Sequence, residues 1–335
     1  MNAQTRNFPQ VAQTKAHSAR RAFNRSILAL VFLTSLIPYH ISARTIPAEA
    51  AQPAMRQLSL EGVQRVLVVA PHPDDETIAP GGLIQAALAN GSQVRVVVVT
   101  NGDGQFAAPA LFGMEGTLSA KGYVAMGERR QAESQAVLNR LGVAAEDMYF
   151  LGYPDRGIEP MLSENWEEAS PYTAPFTRAT ASPYPHTHHP RAIYCGKSLL
   201  ADLTHIVEEY QPDLIVVSHP ADTHSDHSAV SRFTTLAAAS VHAGNGAYQP
   251  QVWAYLVHYG EYPNKVTAQQ ARQFVPPASL TTEVDAWGSL ALTTAQSAVK
   301  SAAIQAYPTQ MLLLGGFLPE FVRSNEIFMP LSVAG

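Results

Sequence analysis

RVLVVAPHPDDE, residues 65–76, joins a short apolar run rich in β-branched residues to a cluster of one imidazole and three carboxylates. The apolar part shows no alternation with polar residues, which is typical of a strand buried on both faces of a parallel sheet. The polar part follows where that strand should end. Ligands of open parallel sheets bind beyond the carboxyl ends of the strands. The stretch therefore predicts both a fold class and the place of a site.

Further strands and helices alternate along the rest of the chain. The predicted strands are residues 94–100, 148–151, 213–218 and 253–258, and the predicted helices are residues 81–90, 127–141, 198–210 and 228–243. Strands separated by helices of this length indicate parallel pairing through right-handed crossovers. We therefore expect an α/β, Rossmann-like three-layer fold. Its sheet should be mainly parallel, with the active site at the carboxyl ends of the strands.

The first fifty residues differ from the others in charge. Residues 1–50 hold six basic side chains and one acidic one, whereas residues 51–335 hold 16 basic and 26 acidic ones. An apolar run at residues 27–37 follows the basic stretch and precedes small residues. That run is too short for a bilayer core of roughly 30 Å. This order of basic stretch, apolar run and small residues predicts a signal peptide at residues 1–50, ahead of a single domain at residues 51–335.

The predicted leader has consequences for location. Arg20 and Arg21 resemble a twin-arginine export signal, so we expect a periplasmic or extracellular protein. An uncleaved leader that anchors the protein in the membrane is one alternative, and an organellar transit peptide is another. Membrane contact is expected only through an uncleaved leader.

Composition excludes several classes of function. The chain has 335 residues with a net charge of −5 and a single cysteine, Cys195. One cysteine excludes an intramolecular disulfide and a multi-cysteine metal site, and the acidity argues against a nucleic-acid partner. The sequence contains no glycine-rich dinucleotide loop after its first strand, no Gly-x-Ser-x-Gly elbow and no His-Glu-x-x-His motif.

A second polar cluster, HPADTHSDH at residues 219–227, follows the strand predicted at 213–218. The two clusters should meet, because parallel strands end at one edge of the sheet. Two neutral histidines and one aspartate would leave a position open on zinc for a water whose pKa falls near 7. A neighbouring carboxylate could take the proton of that water. The residues alone also allow an acidic helix N-terminus at 74–76 and a capping or surface role for the histidines.

The motifs resemble those of the PIG-L/LmbE zinc-dependent de-N-acetylases. Residues 71–76 (PHPDDE) are similar to the first motif of that family, and residues 224–227 (HSDH) are similar to its second. Weaker similarities lie at residues 130–142, 151–155 and 300–310. The resemblance spans about residues 64–328, which is nearly all of the chain after the leader.

The resemblance implies a metal site and a base. His72, Asp75 and His227 would bind one Zn²⁺ per chain, although this type of ligand set also tolerates other divalent metals. Asp74 would be the general base that deprotonates the attacking water.

The resemblance also implies roles for four further residues. His224 would stabilise the oxyanion and help to protonate the leaving amine, and Asp226 would hold and polarise His224. Arg130 and Asp155 match positions that contact sugar hydroxyls.

Two features depart from the family pattern. Some relatives carry an oxyanion-supporting tyrosine two positions before the first histidine of the second motif, where this chain has Asp222. An ionised aspartate cannot donate a hydrogen bond. The connection at residues 152–196 is also long and is predicted to be an active-site loop, with His186, His188 and His189 on a mobile polar lid.

The resemblance implies a secreted metal-dependent hydrolase that removes the N-acetyl group from an N-acetylglucosamine-type sugar or glycoconjugate. The expected partner is a small-molecule or glycan substrate that carries an N-acetylated amine. One alternative is an amidase that cleaves a different acyl-amide. Another is a carbohydrate-binding protein that lacks catalysis on the same scaffold. Asp74 and His224 favour catalysis, because binding alone needs neither a base nor an acid.

Overall fold

The computed structural model describes residues 55–105, 108–113, 118–260, 262–263, 272–280 and 287–332. The leader predicted at residues 1–50 lies outside these ranges, so its assignment stays a prediction. None of the helices in the described ranges is both long and apolar enough to cross a membrane.

The described residues form a mixed, mainly parallel sheet. Its strands are β1 (Arg56–Gln57), β2 (Arg65–Ala70), β3 (Gln93–Thr100), β4 (Met148–Tyr153), β5 (Leu214–Ser218), β6 (Gln251–Tyr255), β7 (Gly288–Ala291) and β8 (Asn325–Leu331). They lie in the order β1-β7-β8-β6-β5-β2-β3-β4. Strand β8 runs antiparallel to both of its neighbours, and the other pairs are parallel. The predicted fold class is confirmed.

The helices cover both faces of the sheet. They are α1 (Asp75–Ile78), α2 (Gly81–Ala89), α3 (Ala108–Leu111), α4 (Ala120–Leu141), α5 (Ile158–Ser163), α6 (Gly196–Tyr210), α7 (Ser225–Gly244), α8 (Thr294–Ile304) and α9 (Pro308–Leu314). One apolar core joins the sheet to α2, α4 and α8, and a second core joins its other face to α6 and α7. These five helices bury apolar residues against the two faces of the sheet, which gives the three predicted layers.

The path of the chain brings the two polar clusters together. From β2 the chain moves outward to β3 and β4, and it then returns to place β5 on the other side of β2. Val69 pairs with Val217 in register, so these two strands end at the same level. Their carboxyl ends form the point of the sheet where the strand order reverses, and such points bind ligands in open α/β sheets.

Two details of the helices differ from the sequence prediction. The helix predicted at 127–141 begins earlier, at Ala120, where the side chain of Ser119 accepts the N–H of Gly122 and caps the first turn. The helical similarity at residues 300–310 corresponds to two helices. Helix α8 ends at Ile304 and α9 begins at Pro308, because proline is compatible with the first turn of a helix but disrupts its interior.

A buried ion pair joins α8, β8 and α2. Lys300 donates to the Glu326 carboxylate across 2.6 Å, and both side chains are almost fully buried. The same carboxylate accepts the N–H groups of Gly82 and Leu83 at the start of α2, across 2.6 and 2.8 Å. Glu326 therefore satisfies three donors that water cannot reach.

We expect Glu326→Ala to lower the free energy of unfolding by about 3–5 kcal/mol, because it leaves a buried ammonium without its counter-charge. Chemical denaturation would measure the loss. Glu167→Ala is the matched control, since it breaks the exposed pair between Glu167 and Lys197 and should change stability little. Equal effects of the two substitutions would contradict a structural role for the buried pair.

Candidate active site

The turn after β2 directs two adjacent carboxylates into different surroundings. Asp74 has a φ of 125°, an unfavourable value for a residue with a side chain, and its N–H donates to Glu76 across 2.9 Å. The Glu76 carboxylate is fully buried and accepts hydrogen bonds from Ser134 and Tyr307. These contacts hold the turn in shape. Asp75 consequently faces the histidines, while Asp74 faces a pocket.

Three predicted metal ligands converge on one point. The Nδ1 atom of His72, the Nε2 atom of His227 and the Oδ2 atom of Asp75 are 3.2 Å apart in each of the three pairs. A tetrahedral zinc ion with bonds of about 2.0–2.1 Å holds its ligand atoms roughly 3.3 Å apart. The donor types and their spacing therefore suit zinc.

The charge around His227 also suits a cation. Burial lowers the pKa of His227, but the carboxylates of Asp75 and Asp222 outweigh burial and raise that pKa to about 10. The two acids thus favour a positive charge at this imidazole. A divalent cation supplies such a charge, and its binding would displace the proton.

Carboxylates hold the far side of each imidazole. The Nε2 atom of His72 lies 3.2 Å from Asp226 and 3.4 Å from Asp155. The Nδ1 atom of His227 lies 3.3 Å from Asp222. Each contact favours a proton on the outer nitrogen, so the inner nitrogen keeps a lone pair for a metal.

Potential metal donors among the described residues also meet in two other groups. One is His72 with His224 and His227, and the other is His72 with Asp155, His224 and Asp226. The two carboxylates already accept backbone N–H groups, Asp155 from Gly104 and Asp226 from Arg156. The ring of His224 likewise accepts a backbone N–H. The Oδ2 atom of Asp75 also accepts a backbone N–H, from His72 across 2.9 Å, so these bonds do not separate the triangle from the other groups. The three equal distances favour the triangle formed by His72 Nδ1, His227 Nε2 and Asp75 Oδ2.

Asp226 contacts a different histidine from the one expected. Its carboxylate accepts the N–H of Arg156 across 2.6 Å and the N–H of Ile158 across 3.2 Å, and it lies against His72. These backbone donors hold the carboxylate against His72, while one of its oxygens stays within 4.8 Å of a ring nitrogen of His224. The Asp226 side chain therefore bonds His72 in the structure, and its expected role in holding and polarising His224 stays a prediction.

Asp222 has a place in the site that its sequence position did not reveal. Its Oδ2 atom accepts the N–H groups of Val257 and His258, each across 3.0 Å, besides facing His227. Its Oδ1 atom accepts the N–H of His224 across 3.0 Å. Asp222 therefore orients the His227 imidazole and ties the second motif to the segment after β6.

We expect Asp222→Ala to weaken zinc binding about 10- to 100-fold, because His227 loses the acceptor that fixes its ring and its tautomer. Titration against a competing chelator would measure the affinity. Asp213→Ala is the control, since Asp213 bonds the N–H groups of Gln64 and Arg65 at the opposite end of β5. An unchanged affinity in Asp222→Ala would contradict the orienting role.

Asp74 lies beside the triangle with an altered acidity. Burial and the neighbouring charge of Asp75 raise the pKa of Asp74 to about 7. Gln310 donates to its Oδ2 atom across 2.8 Å, and the guanidinium of Arg130 lies 3.8 Å away. A carboxyl group with this pKa exchanges protons readily at neutral pH, as a general base must.

His224 presents a hydrogen-bond donor to the pocket. Burial, together with His72 and His227, lowers its pKa to about 3, so the ring is neutral. Its Nδ1 atom accepts the N–H of Asp226 across 3.3 Å at the start of α7. The single ring proton consequently belongs on Nε2, which leaves that N–H for another acceptor.

The two predicted sugar contacts lie close to this centre. Arg130 is buried and donates to the carbonyl oxygens of Gly102 and Pro73 across 2.7 and 2.9 Å. Asp155 accepts the N–H of Gly104 across 2.9 Å and contacts His72. Arg130 therefore supports the turn that carries Asp74, and its contact with substrate stays a prediction.

These groups line a pocket of about 220 Å³. Both polar and apolar side chains line it. The lining residues are His72, Asp74, Asp75, Ile78, Gln105, Arg130, Asp155, Arg156, His224, Val257, His258, Gln310, Leu314, Phe317 and Leu318.

The model of the PIG-L family, described as GlcNAc-PI de-N-acetylase, matches residues 67–238, which carry both polar clusters. The chain belongs to the PIG-L family. A 1D-myo-inositol 2-acetamido-2-deoxy-α-D-glucopyranoside deacetylase of Streptomyces avermitilis is 27% identical over 80% of this chain and 89% of its own length. A protein of the same description from Saccharopolyspora erythraea is 34% identical over 55% of this chain and 56% of its own length.

Solved structures support the PIG-L fold. The N,N'-diacetylchitobiose deacetylase from Pyrococcus horikoshii has a TM-score of 0.51 and 20% identity, over 82% of this chain and 86% of that chain. GalB, the 4-carboxy-2-hydroxymuconate hydratase from Pseudomonas putida, has a TM-score of 0.50 and 16% identity, over 80% of this chain and 96% of that chain. At such identities the likeness concerns the fold alone.

The long connection of this PIG-L protein packs mainly on the body of the domain. Within it, Tyr184 is buried and donates to Asp103 across 2.6 Å. His188 stacks on Tyr149, while the ring of His189 bonds Asp202 on α6. These contacts differ from the expected polar lid. Of residues 152–196, only Asp155 and Arg156 line the pocket.

Sequence reasoning missed several residues that shape the PIG-L site. Gln310 contacts Asp74 from 236 positions away, and Tyr307 reaches Glu76 from 231 positions away. The weak similarity at residues 300–310 was the signal that could have found both. The ring of His258 stacks on Phe317 at the pocket wall, and no sequence motif indicated that pair.

Proposed function

We propose that this protein is a zinc-dependent de-N-acetylase that acts on an N-acetylglucosamine-type sugar or glycoconjugate. The observation that carries the proposal is the triangle of His72, His227 and Asp75 beside Asp74 and His224 in one pocket. Membership of the PIG-L family and the deacetylase activity that the Streptomyces and Saccharopolyspora relatives are described by support the same reaction class.

The proposed metal has one chemical task. Zinc bound by the three converging ligand atoms would polarise an amide carbonyl and lower the pKa of a water molecule. The ligand types, their spacing and the carboxylates behind each imidazole support a divalent cation such as zinc.

The side chains would move the protons. Asp74 would take a proton from the attacking water, with Gln310 and Arg130 keeping its carboxylate directed at the pocket. The Nε2–H of His224 would donate to the oxygen that becomes negative as water attacks the amide. His224 would thus provide the donor that the tyrosine of some relatives provides. The protonated Asp74 would then return its proton to the leaving amine.

The test is a turnover assay with zinc-loaded protein. Free N-acetylglucosamine, N,N'-diacetylchitobiose and an N-acetylglucosaminyl inositol would be offered, and the released amine and acetate would be measured in equal amounts. We expect hydrolysis of at least one of these amides. Zinc binding without turnover of any of them, or of any acidic N-acetylated sugar, would contradict the proposal and would favour a binding protein on the same scaffold.

We further propose that the protein is exported through the leader at residues 1–50. The basic stretch, the apolar run and the small residues after it support this. Sequencing the N-terminus of protein recovered outside the cytoplasm should give a start after the apolar run at 27–37. Recovery of the protein only in the cytoplasm, with its leader intact, would contradict export.

A further inference from the structure

The pocket holds two guanidinium groups with different duties. Arg130 is buried and already donates to two carbonyl oxygens. Arg156 is exposed at the rim, and its side chain makes no ion pair or hydrogen bond with any residue in the part of the chain described by the structure. Arg130 also keeps a free donor, because its Nε atom has no hydrogen-bond partner, but its guanidinium is buried and held by two carbonyl groups. The guanidinium of Arg156 is the one exposed at the rim.

Backbone hydrogen bonds fix the turn that carries Arg156. Its φ of 66° lies in the left-handed region, and its N–H donates to Asp226 across 2.6 Å. The next residue, Gly157, closes the turn by donating to the carbonyl of Pro154 across 3.0 Å. Asp226 also contacts the metal ligand His72. One carboxylate thus holds both the metal site and the turn that presents Arg156.

The surrounding charge makes a cation at this rim unusual. Asp74, Asp75 and Asp155 line the same pocket, and residues 51–335 carry ten more acidic than basic side chains. Such a field repels an anion unless a positive group meets it at the entrance. An arginine is well suited to that task, because its planar donors match carboxylate and phosphate oxygens.

We propose that Arg156 binds an anionic group on the substrate, a carboxylate or a phosphate, so that the preferred substrate is an acidic N-acetylated sugar. This inference rests on the proposed de-N-acetylase function and adds a substrate class to it. The anion would lie on the rim at Arg156 while the amide reaches Asp74 and the metal ligands.

The experiment compares three sugars with zinc-loaded enzyme. N-acetylglucosamine 6-phosphate carries a phosphate, N-acetylmuramic acid carries a carboxylate, and N-acetylglucosamine carries neither. We expect kcat/KM for at least one acidic sugar to exceed that for the neutral sugar about 10- to 100-fold. The acidic sugar that gains more would identify the anion. Raising the ionic strength should reduce the preference, because the rim is exposed to salt.

Two variants test whether Arg156 causes the preference for acidic sugars. Arg156→Gln should reduce the ratio of acidic to neutral kcat/KM about 10- to 100-fold, mainly through KM, and should remove its salt dependence. Arg191→Gln is the matched control, since Arg191 is also exposed, lies in the same connection and has a φ of 62°, but does not line the pocket. Its ratio should equal that of the wild type.

The possible failures are distinguishable. Turnover of the neutral sugar at a rate equal to or above that of both acidic sugars would overturn the role of Arg156 and leave the de-N-acetylase function intact. A preference for acidic sugars that persists in Arg156→Gln would also overturn it. Absence of turnover with every sugar, including those of the first assay, would overturn both proposals.

Discussion

Asp74→Asn is expected to lower kcat about 10²- to 10⁴-fold while the protein still binds one equivalent of zinc. The asparagine side chain keeps the size of the aspartate and its acceptor oxygen for Gln310, but it cannot take a proton from water. The loss should therefore appear in kcat, with little change in metal affinity. Steady-state kinetics on the best N-acetylated sugar, together with metal analysis of the same preparation, would measure both quantities.

The control for Asp74→Asn is a second buried acid outside the pocket. Asp202 on α6 accepts hydrogen bonds from Tyr153 and faces His189, and it lies away from the lining residues. Asp202→Asn should keep most of the activity, which would show that an amide in place of a buried acid does not by itself inactivate the protein. Full activity of Asp74→Asn would rule out Asp74 as the base.

His227→Ala is expected to give the second large effect, loss of both bound zinc and turnover. Asp75 would keep one histidine partner, and two ligands hold zinc far more weakly than three with converging geometry. Zinc content after dialysis and kcat on the same sugar would fall together.

His258→Ala is the control for that loss. The ring of His258 lies 5.1 Å from the ring of His227, centroid to centroid, but no atom of His258 belongs to the triangle. We expect His258→Ala to retain one zinc per chain. Zinc retained in His227→Ala, or lost equally in both variants, would contradict the assignment of His227 as a ligand.

The sequence was sufficient to predict the strands at the centre of the sheet. Strands β2 to β5 lie within two residues of the predicted runs, because their cores, such as Val66–Val69, are continuous apolar segments buried on both faces. Strand β6 (Gln251–Tyr255) begins two residues before the run predicted at 253–258 and ends three residues before its end. The meeting of the two polar clusters followed from the same reasoning, since parallel neighbouring strands end at one edge.

The edge of the sheet could not be predicted in this way. Strand β1 has two residues and β7 has four, which is too short for a hydrophobic period to be recognised. Strand β8 contains Pro330, which argues against a strand in a local pattern, yet it pairs antiparallel to β6. Pairing with distant segments decides these elements.

The hydrogen-bond partners of the site residues could not be predicted from the local sequence either. The motif placed Asp226 next to His224 along the chain, but the backbone N–H groups of Arg156 and Ile158 draw its carboxylate to His72 instead. Asp222 stands where some relatives have a tyrosine donor, so the sequence indicated only the absence of that donor. In the structure, the N–H groups of Val257 and His258 hold its carboxylate, which accepts from His227. Tertiary hydrogen bonds determine where each carboxylate points.

The most direct test of the account is a crystal structure of the zinc-loaded protein with anomalous data at the zinc edge. We expect one zinc ion bound by His72 Nδ1, His227 Nε2 and Asp75 Oδ2, with a further position open toward Asp74 and His224. Zinc bound instead through His72 Nε2 with Asp155, His224 and Asp226 would contradict it, because Asp226 and His224 would then be ligands and could not have the roles proposed here.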